Sequence, residues 1–101
     1  MSFLLFDASD DAQGQGTWEA MASVRAERLP QLMAEVQAAL AQAERSAPGP
    51  RGSFDEGCVW DADVQMQTEG DGQGDWTAVT LTFTGPWTWG EALVAELSAG
   101  P

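Results

Sequence analysis

The chain has 101 residues, 44% of them hydrophobic, and its sixteen acidic residues face four arginines with no lysine or histidine. This length and content predict a single domain over residues 1–101 with one core. The net charge of −12 disfavours nucleic acid and anionic membranes as partners, because phosphate repels a surface of its own sign.

The first element is the apolar run from Phe3 to Phe6, which predicts a short strand whose second face needs a helix or a partner as cover. The run is too short to cross a membrane, and Asp7 interrupts it too early for a signal peptide. Cys58 is the single cysteine, which excludes an internal disulfide and suits a reducing compartment. We therefore expect a cytoplasmic protein. The missing residue types, mostly those with AT-rich codons, favour a bacterial source.

Residues 16–28 fit two structures. Trp18, Ala20, Ala22 and Val24 alternate as in a strand, whereas the composition also allows one long helix kinked at Pro30. The strand is favoured by a weak internal repeat, in which "GQGTWEAM" at 14–21 resembles "GQGDWTAV" at 72–79. The repeat relates residues 1–46 to residues 58–98.

The segment Leu29 to Arg45 is predicted to be an amphipathic helix. Its apolar residues recur three and four apart and form one stripe: Leu29, Leu32, Met33, Val36, Leu40 and Ala43. Pro30 suits the first turn of a helix, and the Pro/Gly-rich "SAPGPRG" ends the element.

Two alternating segments around the glycine-rich loop "EGDGQGD" predict a β-hairpin. The core-facing residues of the pair are Cys58, Trp60, Ala62, Val64, Met66, Val79, Leu81 and Phe83. The opposite face carries Asp61, Asp63, Gln65, Gln67, Trp76, Ala78, Thr80 and Thr82.

A second helix is predicted after the breaker pair Gly85–Pro86. Thr88 and Glu91 have the spacing of a capping box, with Trp87 placed as a hydrophobic staple before the cap. Downstream, Trp89, Leu93 and Leu97 repeat every four residues and predict a buried helix face.

Together these elements predict a two-layer α+β fold, in which about four mostly antiparallel strands carry two helices on one face. The order is ββαββα if residues 16–28 form a strand. If they form a helix, the order is βαββα, a ferredoxin-like unit without its last strand.

Catalytic signals are weak in this chain. Without histidine there is no Ser-His or Cys-His pair, and Cys58 has no adjacent base or cation and is predicted to be a small core residue. Asp61 and Asp63 share a strand face, where a carboxylate pair could do acid–base work only in a desolvated cleft. Gln65 and Gln67 on that face favour a solvated surface. We therefore predict no catalytic residue and no cofactor.

The loop "DGQGD" from Asp71 to Asp75 resembles calcium loops in its alternation. Trp76 and Thr82 stand where an EF-hand requires Gly and Glu, so we predict no metal centre. A weak, exposed cation site formed by this loop with the acidic run at residues 7–11 remains as an alternative.

The open side of the predicted sheet is the best candidate for binding, since tryptophan is frequent in interface hot spots. The predicted partner-binding residues are Trp76, Asp61, Asp63, Thr80, Asp71 and Asp75. The first hypothesis is a non-enzymatic domain that binds a protein partner, including a second copy of the chain. The alternative is an inhibitor of the immunity-protein type that neutralises a basic enzyme, and a third is a small enzyme using Asp61 and Asp63.

Overall fold

The computed structural model describes residues 3–52, 57–70 and 75–99. In chain order the elements are β1 (Phe6–Asp10), β2 (Gln15–Arg25), a 3-10 turn (Ala26–Arg28), α1 (Leu29–Ser46), β3 (Asp61–Gly70), β4 (Asp75–Pro86) and α2 (Trp87–Ala99). The strands form one antiparallel sheet in the order β1-β2-β4-β3, and α1 and α2 pack against its central strands. The protein is therefore a two-layer α+β fold with the predicted order ββαββα.

The ambiguous region is a strand, and the kinked-helix alternative with its βαββα order is wrong. Trp18, Ala20 and Val24 are buried on the helix side of β2, whereas Glu19 and Met21 are exposed on the other side. The strand pairs with β1 on one side and β4 on the other. Because both of its edges are hydrogen-bonded and its alternate side chains are packed, this tertiary context outweighs the helical composition.

The first strand lies later in the chain than predicted, because it begins at Phe6. Leu4 is buried while Leu5 is 82% exposed, so the apolar run does not bury two faces. The amides of Phe3 and Leu4 donate to the Glu35 carboxylate on α1, at 3.0 and 2.8 Å. This carboxylate satisfies the backbone donors that a neighbouring strand would otherwise satisfy.

Helix α1 matches the predicted segment and extends it by one residue to Ser46. Pro30 lies in its first turn, and Ala47 leaves the helix in an extended conformation before Pro48, as a residue preceding proline prefers. The predicted stripe faces the sheet, and three of its members, Leu32, Val36 and Ala43, are buried together with Ala39. The helix thereby closes the core over β2.

Tryptophans fill one end of the core. The ring of Trp18 lies 5.3 Å from that of Trp87 and meets Trp89 edge-on at 6.4 Å, while Trp60 lies 5.3 Å from Trp89. Both indoles of the "TGPWTWG" stretch are therefore packing residues. Helix α2 begins at Trp87, so Thr88 lies in the first turn and not at the predicted cap position.

Candidate interaction face

One side of the sheet is left to solvent, because both helices pack on the other. We call this side the open face. Strand register assigns to it the side chains that alternate with the buried ones: Asp7, Ser9, Thr17, Glu19, Met21, Ser23, Arg25, Asp61, Asp63, Gln65, Gln67, Trp76, Ala78, Thr80, Thr82 and Thr84. Register confirms the predicted phases of β3 and β4, but Met66, predicted to face the core, is 52% exposed on the outer strand β3. Exposure of Met21, Asp63 and Gln65 shows that the face is open to water.

The centre of the open face is a shallow depression of about 260 Å³. Met21 lies opposite Thr80, which in turn lies opposite Gln65, so the three side chains form a row across β2, β4 and β3. Met21 is 65% exposed. Sequence reasoning placed Thr80 on this face but missed Met21. The sequence did contain a signal for Met21, because it is an apolar residue on the polar face of β2, opposite the buried face of that strand.

Trp76 lies at one end of the open face, as predicted, and is half-buried there. Its cross-strand neighbour is Arg25, whose guanidinium carbon lies 4.9 Å from the centroid of the indole ring. This is a cation–π contact. A partner that approaches Trp76 therefore meets a positive charge as well as an aromatic ring, which sequence reasoning did not foresee.

The two aspartates predicted to act together have different surroundings. Asp61 Oδ1 accepts from the Ala62 amide at 2.8 Å and lies 3.3 Å from Arg51 Nε. Arg51 also lies 3.7 Å from Glu44 and donates to the Ala62 carbonyl at 3.0 Å, so it closes the sheet edge where β3 begins. Asp63 is exposed, and the Asp61 side chain is 50% exposed. Neither carboxylate is therefore shielded from water, as general acid–base catalysis by this pair would require.

Of the other predicted residues, Asp75 is exposed at the start of β4 and Asp71 lies outside the described residues. The Asp10 and Asp11 carboxylates accept from the amides of Ala12, Gln13 and Gln15, so they shape the turn between β1 and β2. Cys58 is half-buried just before β3 begins. Among the residues that the structure describes, no cluster of His, Cys, Asp and Glu side chains could hold a metal ion.

Comparisons of the chain with protein-family models, curated proteins and solved structures gave no match. Within the described ranges, neither helix has the length and apolar character needed to cross a membrane.

Proposed function

We propose that the chain is a non-enzymatic, cytoplasmic domain that binds another protein through the open face of its sheet. The observation that carries this proposal is Met21, which is 65% exposed at the centre of the face. Fully burying such a side chain stabilises by roughly 1.5–3 kcal/mol. Because Met21 is 65% exposed, a partner that covers it gains about two thirds of this free energy, roughly 1–2 kcal/mol.

The surroundings of Met21 suit an interface. Thr80, Gln65 and Gln67 line the same depression and can donate and accept hydrogen bonds without desolvating a charge. The charged residues Glu19, Asp63 and Arg25 belong to the same face but not to the lining of the depression. An apolar centre within a polar rim is the usual anatomy of a protein interface, and methionine is enriched there.

The test compares two charge-inserting variants of the full chain. Met21→Glu places a carboxylate at the centre of the open face, whereas Gln37→Glu adds the same charge at an exposed position of α1, on the other layer. A physiological partner should bind the wild type and Gln37→Glu equally, and Met21→Glu at least about tenfold more weakly, because its carboxylate would be buried without a counter-charge. Equal binding by both variants would refute the open face as the interface.

The second candidate function is neutralisation of a basic enzyme. Two observations support this candidate. In the described part of the chain, the carboxylates that form ion pairs, Glu44 and Asp61, both pair with Arg51. The carboxylates of Asp7, Glu19 and Asp63 are exposed on the open face. Attraction between opposite charges speeds association, and salt screens this attraction. The association rate should therefore fall by roughly 10-fold or more from low to physiological salt. An association rate that does not change with salt would remove this candidate.

A further inference from the structure

We propose that the cleft beside Trp76 binds the carboxylate of an organic acid that carries a flat apolar group. The cleft has a volume of about 350 Å³ and is shallow and open to solvent. Arg25, Arg28 and Trp76 line it together with Phe3 and Val24, and Ser23 and Glu27 complete the lining.

The arginines supply the anion-binding half of the cleft. They are two of the four cations in a chain of net charge −12, and within the described residues no ion pair joins either of them to a carboxylate. The Arg25 guanidinium lies over the Trp76 ring, with its carbon 4.9 Å from the ring centroid. A cation–π contact uses no N–H group as a hydrogen-bond donor to another side chain, so these donors remain available to a carboxylate.

Arg28 retains donors as well. One of its nitrogens, Nη1, donates to Gln31 Oε1 at 3.3 Å, and a guanidinium carries five N–H groups in all. Both arginines are exposed, so a ligand can reach them without a rearrangement of the core.

The other half of the cleft is apolar. Val24 is buried in the wall, while Phe3 and the indole of Trp76 are half-buried. A flat hydrocarbon group packs against such surfaces, and aromatic pairs prefer offset or edge-on contact. The cleft therefore places cations beside an aromatic wall.

The charge of the lining favours a monoanion. Glu27 lines the same cleft and offsets one of the two arginines, which leaves one net positive charge. Elsewhere the chain is strongly acidic, so long-range repulsion disfavours a polyanion. A single carboxylate matches this balance. The inference does not depend on the proposed function, because the ligand is a small acid and its test needs no protein partner.

The test follows the indole N–H resonance of Trp76, assigned with Trp76→Phe, during titrations of the full chain. The probes are benzoate and N-acetylphenylalanine, which represent a free acid and the C-terminal residue of a polypeptide. Their amides, benzamide and N-acetylphenylalanine amide, are the neutral controls. We expect a saturable shift with at least one acid and about tenfold weaker binding of its amide, a difference typical of a charge-assisted hydrogen bond. The tighter acid identifies the source. Equal binding of acid and amide, or no saturable shift with either acid, would overturn the proposal.

Three arginine variants separate the cleft from general electrostatics. Arg25→Gln and Arg28→Gln should each weaken binding of the preferred acid by about tenfold. Arg45→Gln removes the same charge from an exposed position of α1 and should leave binding within about twofold of wild type. Arg25→Lys keeps the charge but loses the planar fork, so its affinity should fall between those of the wild type and Arg25→Gln. An equal loss in Arg45→Gln would show that net charge alone governs binding and would refute the cleft.

Discussion

Gly90 in α2 lies against the ring of Trp18. A Cβ atom added at Gly90 would overlap three carbons of that indole, and the ring is itself confined by Trp87 and Trp89. At an ordinary helix position, Gly→Ala stabilises by about 1 kcal/mol. Here we expect Gly90→Ala to destabilise the protein, because the close approach of helix and ring leaves no room for a methyl group.

The magnitude follows from the size of the overlap. Non-bonded carbons sit about 3.5–4.0 Å apart, so the Trp18 ring would have to retreat by roughly 1.5 Å from the new methyl group. Overpacking of this kind costs about 1–3 kcal/mol, and the overlap with several atoms of a confined ring points to the upper end of that range. After subtraction of the propensity gain, the net loss in the free energy of unfolding is about 2 kcal/mol.

Equilibrium unfolding in guanidinium chloride, followed by circular dichroism, measures this loss. The matched control is Ala95→Gly, at an exposed position of the same helix, which should cost about 1 kcal/mol through propensity alone. The expected order of stability is wild type, then Ala95→Gly, then Gly90→Ala. A Gly90→Ala protein more stable than wild type would refute the packing of α2 on Trp18.

Three further predictions concern the open face, the N-terminal segment and self-association. Trp76→Ala should leave the fold intact, whereas Trp60→Ala should lower the free energy of unfolding by about 3–5 kcal/mol because Trp60 is buried. Circular dichroism and denaturant titration measure the fold and the stability of both variants. If Trp76→Ala unfolds the protein, Trp76 belongs to the core. Glu35→Ala should speed hydrogen exchange at the Phe3 and Leu4 amides, which donate to that carboxylate, and unchanged exchange would refute this anchor. If a second copy pairs with an outer strand, β1 or β3, sedimentation should show a concentration-dependent dimer, and a monomer up to millimolar concentration would exclude it.

Local patterns in the sequence predicted most of the secondary structure. Alternation placed Val79, Leu81 and Phe83 in the core and Thr80 on the open face, and burial agrees with each assignment. The three-and-four spacing of α1 placed Leu32 and Val36 against the sheet. These features are predictable because the side-chain period of a strand or helix is a property of the local backbone.

The N-terminal error has a long-range cause. The apolar run containing Leu4 and Leu5 satisfies a local strand pattern, yet the carboxylate of Glu35 on α1 holds its backbone donors. Phe6, the last residue of the run, and the four residues after it form β1 by pairing with β2. The Glu35 contacts join residues 31 and 32 apart in the chain, so no local window contains that information.

The sequence by itself determined the two layers, the phases of β3 and β4 and the acidic net charge, since these depend on local periodicity and on composition. Only the tertiary structure decided that Arg25 lies over Trp76 and that Met21 lies beside Thr80 at the centre of the open face. The physical reason is strand register. A shift of one residue between two strands reverses which side chains share a face, and register is set by contacts between segments far apart in the chain.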